Sequence, residues 1–152
     1  MAIAIAAHII AAVIWVGGMF FAWMVLRPIA ATRLEPPTRL NLWLGVFDRF
    51  FPWVWTAVAI LLISGFWIIL RVYGGFSSVG PHIHAMMTIG IIMMLIFAHL
   101  YFAPYRRLKT AVGSENWPEG ARHLGMIRRM VGINLILGVI TVVVGASGRY
   151  LI

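Results

Sequence analysis

Four apolar stretches divide the 152-residue chain. The first runs over about 3–26 and reaches Arg27-Pro28. The second, about 50–70, lies between Asp48-Arg49 and Arg71. The third, about 82–102, follows Gly80-Pro81 and reaches Pro104, and the fourth covers about 130–148. Each holds roughly 20 residues, the length of helix that crosses the ~30 Å hydrocarbon core of a bilayer. The pattern predicts an all-α fold: an integral membrane four-helix bundle forming a single transmembrane domain over residues 1–152. Arg27-Pro28 and Pro104 are expected to end their spans. Leu40, Leu42, Trp43, Leu44, Val46 and Phe47 form an apolar, interfacial stretch before the second span, and Trp117-Pro118-Glu119 reads as a helix start leading into the fourth. The first run has no basic residue ahead of it and is too long for the core of a signal peptide, so it is expected to remain as a span.

Composition agrees with a lipid environment. Apolar residues make up 62% of the chain and charged residues 11%, with a mean hydropathy of +0.97. A soluble domain of this size needs far more polar surface. The chain has no cysteine, which excludes a disulfide framework, a thiolate-held metal and the Cys-x-x-Cys-His attachment of c-type haem.

The net charge of +8 has a topological reading rather than a nucleic-acid one. The first connection carries Arg27, Arg33 and Arg39, with Arg49 at the next span, and the third carries Arg106, Arg107, Lys109, Arg122, Arg128 and Arg129. Lys and Arg concentrate in cytoplasmic loops. Loops one and three are therefore expected in the cytoplasm, and both termini on the exterior or periplasmic side, as in a bacterial inner membrane. Glu35, Asp48, Glu115 and Glu119 fall on the charged side too, so no carboxylate sits deep in a span. That argues against a carboxylate proton relay.

Histidine in hydrocarbon is costly and tends to be functional. His8 lies about 10 Å into the first span, while His82 and His84 open the third at the same end of the bundle. Two imidazoles at similar depth on different helices match the needs of bis-histidine haem b, with His8 and His84 as axial ligands and His82 as the alternative. On the His8 face, Ala11, Ala12 and Gly18 are small, and Trp15 and Met19 are bulky and apolar; Met87, Thr88 and Ile91 follow His84 in the same way. Trp15, Gly18, Met19 and Met87 are the candidate cofactor-lining residues. His99 is expected to hydrogen-bond Asn134, and His123 to be solvated in its basic loop. A copper reading stands beside the haem one. Thioether and imidazole suit Cu(I), Met86, Met87, Met93 and Met94 repeat at a spacing of seven, and His8, His82 and His84 would form an exterior uptake site. The same methionines also suit plain packing.

The first span reads His8-Ile-Ile-Ala-Ala-Val-Ile-Trp15-Val-Gly17-Gly18-Met-Phe20 and continues to Leu26-Arg27-Pro28. This resembles the opening of the copper resistance protein D family, with its histidine, Trp-x-Gly-Gly motif and proline. It is also similar, more distantly, to the HemJ-type protoporphyrinogen oxidases, four-helix membrane proteins that bind haem b. The resemblance implies His8, Trp15, Gly17 and Gly18 as family-like positions, and copper handling at the exterior face. The HemJ-type pattern has an arginine in its first helix and a lysine in its third. Here the first has none before Arg27 and the third has none, which argues against protoporphyrinogen oxidation. The leading expectation is a haem b protein with a redox or electron-transfer role, such as a membrane oxidoreductase served by a quinone or membrane partner. The alternatives are a copper-binding or copper-transport protein and a cofactor-free assembly subunit.

Overall fold

The computed structural model describes residues 1–151. Helix α1 (Ala2–Phe21) runs through a π-helical turn (Ala22–Leu26) into α2 (Arg27–Arg33). After α3 (Pro36–Arg71) and a short 3-10 turn (Phe76–Ser78) comes α4 (Pro81–Leu100). A second π-helical turn (Tyr101–Tyr105) leads into α5 (Arg106–Gly113), and α6 (Trp117–Leu151) completes the chain. These elements make four rods: Ala2–Arg33, Pro36–Arg71, Pro81–Gly113 and Trp117–Gly148. All four are long and apolar enough to cross a membrane. The protein is an all-α integral membrane protein, and its outer surface is consistent with lipid contact. Ile3, Ile10, Val13, Ile63, Leu95 and Ile136, among others, face outwards uncovered.

Local chemistry sets where the rods begin. Pro36 and Pro81 are the first residues of α3 and α4, where a missing N–H costs nothing. The Asn116 side-chain oxygen accepts the Glu119 backbone N–H at 3.3 Å and caps α6. The turn after α3 uses Gly74 at φ 79° and Gly75 at φ 127°, a region that side chains other than glycine rarely enter.

The rods do not end where the prolines predict. Pro28 and Pro104 both lie within continuous helix, and a π-helical turn precedes or contains each. A proline ring collides with the carbonyl four residues back and removes one hydrogen bond. Widening the turn makes room for the ring without stopping the helix. The apolar stretch from Leu40 to Phe47 is likewise the opening of α3 rather than a separate interfacial segment. Leu40, Trp43, Phe47, Phe51, Val54 and Val58 are buried at three- and four-residue intervals, forming one inward stripe.

The first rod packs along the second and the third along the fourth, while α1 also touches α6. Between α3 and α4 the space is filled by aromatic side chains. Phe51 meets Tyr105 at 4.8 Å between ring centroids, Trp55 meets Phe97 at 5.0 Å, and Trp15 of α1 reaches Phe97 at 6.2 Å. Such edge-on arrangements are favourable beyond the area they bury. Towards the charged end the Tyr105 hydroxyl donates to the Asp48 carboxylate, and Lys109 Nζ lies 3.1 Å from the same oxygen, tying α3 to α5.

The fourth rod meets the third through glycine. A β-carbon at Gly148 would fall 2.6 Å from the His82 β-carbon, whereas one at Gly17 would meet nothing within 4 Å. Gly148→Ala should therefore destabilise the protein by about 1–3 kcal/mol, because two backbones must part. Gly17→Ala should instead be stabilising by up to about 1 kcal/mol, alanine being the better helix former. Thermal unfolding followed by helical circular dichroism in detergent checks the contrast; equal shifts would contradict the close approach.

Candidate functional site

His8 is half-buried on α1 and turns towards α3. Its Nδ1 is 2.8 Å from Ser64 Oγ, and Gly65 leaves room for the ring, with His8 Cε1 3.4 Å from where a β-carbon would be. Ser64 Oγ also lies 2.5 Å from the Ile60 carbonyl oxygen. A hydroxyl carries one proton, and the carbonyl can only accept. Ser64 therefore donates to Ile60 and accepts from His8, which assigns the proton to Nδ1 and leaves the Nε2 lone pair available. Histidines that ligate metals are commonly held in this way, by a hydrogen bond to the other nitrogen.

A second group lies between α4 and α6. His82 packs on Gly148, the Met86 thioether on Gly145 (3.2 Å from the sulfur to where a β-carbon would stand), and the Met93 methyl on Gly138 at 3.2 Å. These pairs keep one antiparallel register, so His82, Met86 and Met93 share the face of α4 turned to α6. Thr141 Oγ1 approaches Met93 Sδ at 4.0 Å. Asn134 Nδ2 donates to the Met93 carbonyl at 3.0 Å, while its Oδ1 is buried without a hydrogen-bond partner among the described residues. Asn134 also lines a void of about 30 Å³ beside Trp15, Met19 and Phe97. His8, with Ser64, and His82, with Gly148, lie at the same end of the bundle, the one away from the arginine-rich connections. Among the described residues, no three His, Asp or Glu side chains converge as a metal cage.

The copper resistance protein D family model matches residues 44–147. The chain belongs to that family. The match begins inside α3 and so rests on residues beyond the His8–Pro28 segment that carries the resemblance in the first rod. It takes in Ser64, His82, His84, Met86, Met93 and Asn134. Neither the comparison with curated proteins nor that with solved structures gives a match.

Other residues singled out in this family member's sequence occupy varied places. His84 is exposed on α4, and α1 and α4 make little backbone contact. The structure pairs His8 with Ser64 and His82 with α6. Trp15 and Met19 are buried in the core. Met87 is half-buried on α4. Gly18 does admit a flat ring, but it is that of Phe50 on α3.

His99 is exposed, and Asn134 bonds to Met93 instead of to it. His123 is not solvated: it is 4% exposed, with Nε2 3.3 Å from a Glu119 oxygen that also meets Arg122. Its position one turn after Glu119 was the available signal. Sequence reasoning missed Ser64 and the α6 glycines. A lone serine in an apolar span was the hint for the first.

Removing the Ser64 hydroxyl should release the His8 tautomer. In ¹⁵N spectra of histidine-labelled protein, His8 should give one Nδ1-protonated form in the wild type and a mixture in Ser64→Ala. An unchanged His8 signal would contradict the assignment.

Proposed function

We propose that the protein handles copper as its cargo, taking up Cu(I) at the histidine end of the bundle. The observation that carries this reading is the line of His82, Met86 and Met93 on one face of α4, fitted into glycine positions of α6. Imidazole and thioether are suitable donors for Cu(I), which accepts few ligands and favours soft ones. From His82 to Met93 the line descends about 16 Å along the helix. Below it stand Phe97, Phe51 and Tyr101, an aromatic layer rather than a continuation of the soft donors. The reading is therefore capture in one half of the membrane and delivery towards its middle, with the oriented Nε2 of His8 as an additional donor on the first rod. Family membership supports a copper-related role.

The distribution of basic residues supports an orientation with the histidine end and both termini on the exterior or periplasmic side of a bacterial inner membrane. Copper would then be met from outside. A competing reading has haem b between His8 and His84, serving electron transfer with a quinone or membrane partner. The oriented Nε2 of His8 is its one supporting feature. Against it stand the exposure of His84 and the filling of the Gly18 surface by Phe50. The side-chain placements therefore favour the copper line over that sandwich.

Titration of the detergent-solubilised protein with Cu(I), against a coloured competing chelator, tests the proposal. His82→Ala/Met86→Ala should weaken binding about 10-fold or more, since each lost soft donor forfeits on the order of 1 kcal/mol or more. Met24→Ala, on the uncovered outer surface, should change nothing. Equal affinity in the double variant and the wild type would overturn the copper line. A dithionite-reduced haem band in protein expressed with ample haem would favour the competitor.

A further inference from the structure

At the charged end, a cavity of about 320 Å³ opens between the first, second and fourth rods. Three arginines line it, Arg27, Arg39 and Arg128, together with part-exposed apolar side chains that include Trp23, Leu124 and Val131. No carboxylate is among the lining residues. The acidic side chains that form ion pairs are engaged elsewhere, Asp48 with Lys109 and Glu119 with Arg122 and His123. Two of the arginines are held in place by the fold. The Arg27 guanidinium lies over the Trp23 ring, 4.4 Å from its centroid, and Arg39 Nη1 donates to the Ala31 carbonyl at 3.4 Å. Neither contact neutralises a charge.

We propose that this cavity binds the phosphate headgroup of an anionic phospholipid. Like charges gathered around one space repel unless an anion joins them, and guanidinium groups match phosphate with paired N–H donors. Basic pockets between membrane helices, at headgroup level, are a recognised form of lipid site. The apolar lining selects an amphiphile: a glycerol backbone and the start of an acyl chain cover the part-exposed Leu124 and Val131, whereas inorganic phosphate leaves them wet. The inference is independent of copper handling, because it concerns the opposite end of the bundle.

Native mass spectrometry of the delipidated full-length protein in neutral detergent tests it, with phosphatidylglycerol, phosphatidylcholine and inorganic phosphate as separate probes. Phosphatidylglycerol should be retained at roughly 10-fold lower concentration than phosphatidylcholine, and Arg39→Gln/Arg128→Gln should remove that preference. Arg107→Gln deletes a charge in the third connection without touching the cavity and should leave the preference intact. Gly125→Phe keeps every charge but fills the space; Gly125 lines the cavity and a β-carbon there meets nothing within 4 Å. It should abolish retention even if the double arginine variant fails to fold. Equal retention of the two lipids, retention that survives Gly125→Phe, or inorganic phosphate binding as tightly as the lipid would each overturn the proposal.

Discussion

Helices in a bilayer gain little from hiding apolar side chains, because lipid tails are as apolar as leucine. What holds this bundle together must therefore be fit. The fourth rod supplies it with glycine at the points where neighbouring side chains press closest. Gly132 receives the Trp23 ring, Gly138 the side chains of Val16 and Met93, and Gly148 the base of His82. Contacts of this kind are individually weak and depend steeply on distance. They fix rotation as well as separation, and so decide which side chains look inward. The arrangement of His82, Met86 and Met93 along one seam follows from that geometry.

Much of this was legible in the sequence, for reasons that are physical. Runs of about twenty apolar residues have few alternatives to a membrane span, and all four expected spans fall inside the observed rods. The Asn116 cap and the Trp117 start of α6 were readable because end signals are local. The behaviour of Pro28 and Pro104 was less so. Whether a proline stops a helix or is absorbed by a wider turn depends on the three-dimensional setting, which for Pro104 is a tightly filled aromatic centre and for Pro28 an exposed surface. His123 shows a similar limit: a basic loop suggests solvent, but the residue sits on the inward side of a helix that began earlier than the apolar run.

The candidate site was legible by residue type and not by pairing. His8 and His84, with His82 as the alternative, stood out from chain position alone, and His8 and His82 lie at one end of the bundle. Their partners, Ser64 and the glycines of α6, come from distant parts of the chain and have no signature of their own. The close approach at Gly18 was legible from its small size, but the ring that fills it, Phe50, was not. The family match, lying over residues 44–147, covers the portion that contains most of these partners.

The two π-helical turns have a consequence for the faces of the rods. A π turn holds one residue more than the surrounding helix, and each residue of an α-helix advances it by about 100°. A wheel drawn at constant pitch through Ala22–Leu26 or Tyr101–Tyr105 thus misassigns every position beyond. On the first rod the buried stripe of Ala11, Trp15 and Met19 lies before the turn, and Arg27, which lines the cavity, lies after it. One inserted residue lets a single helix turn one aspect to the bundle's centre and another to its rim.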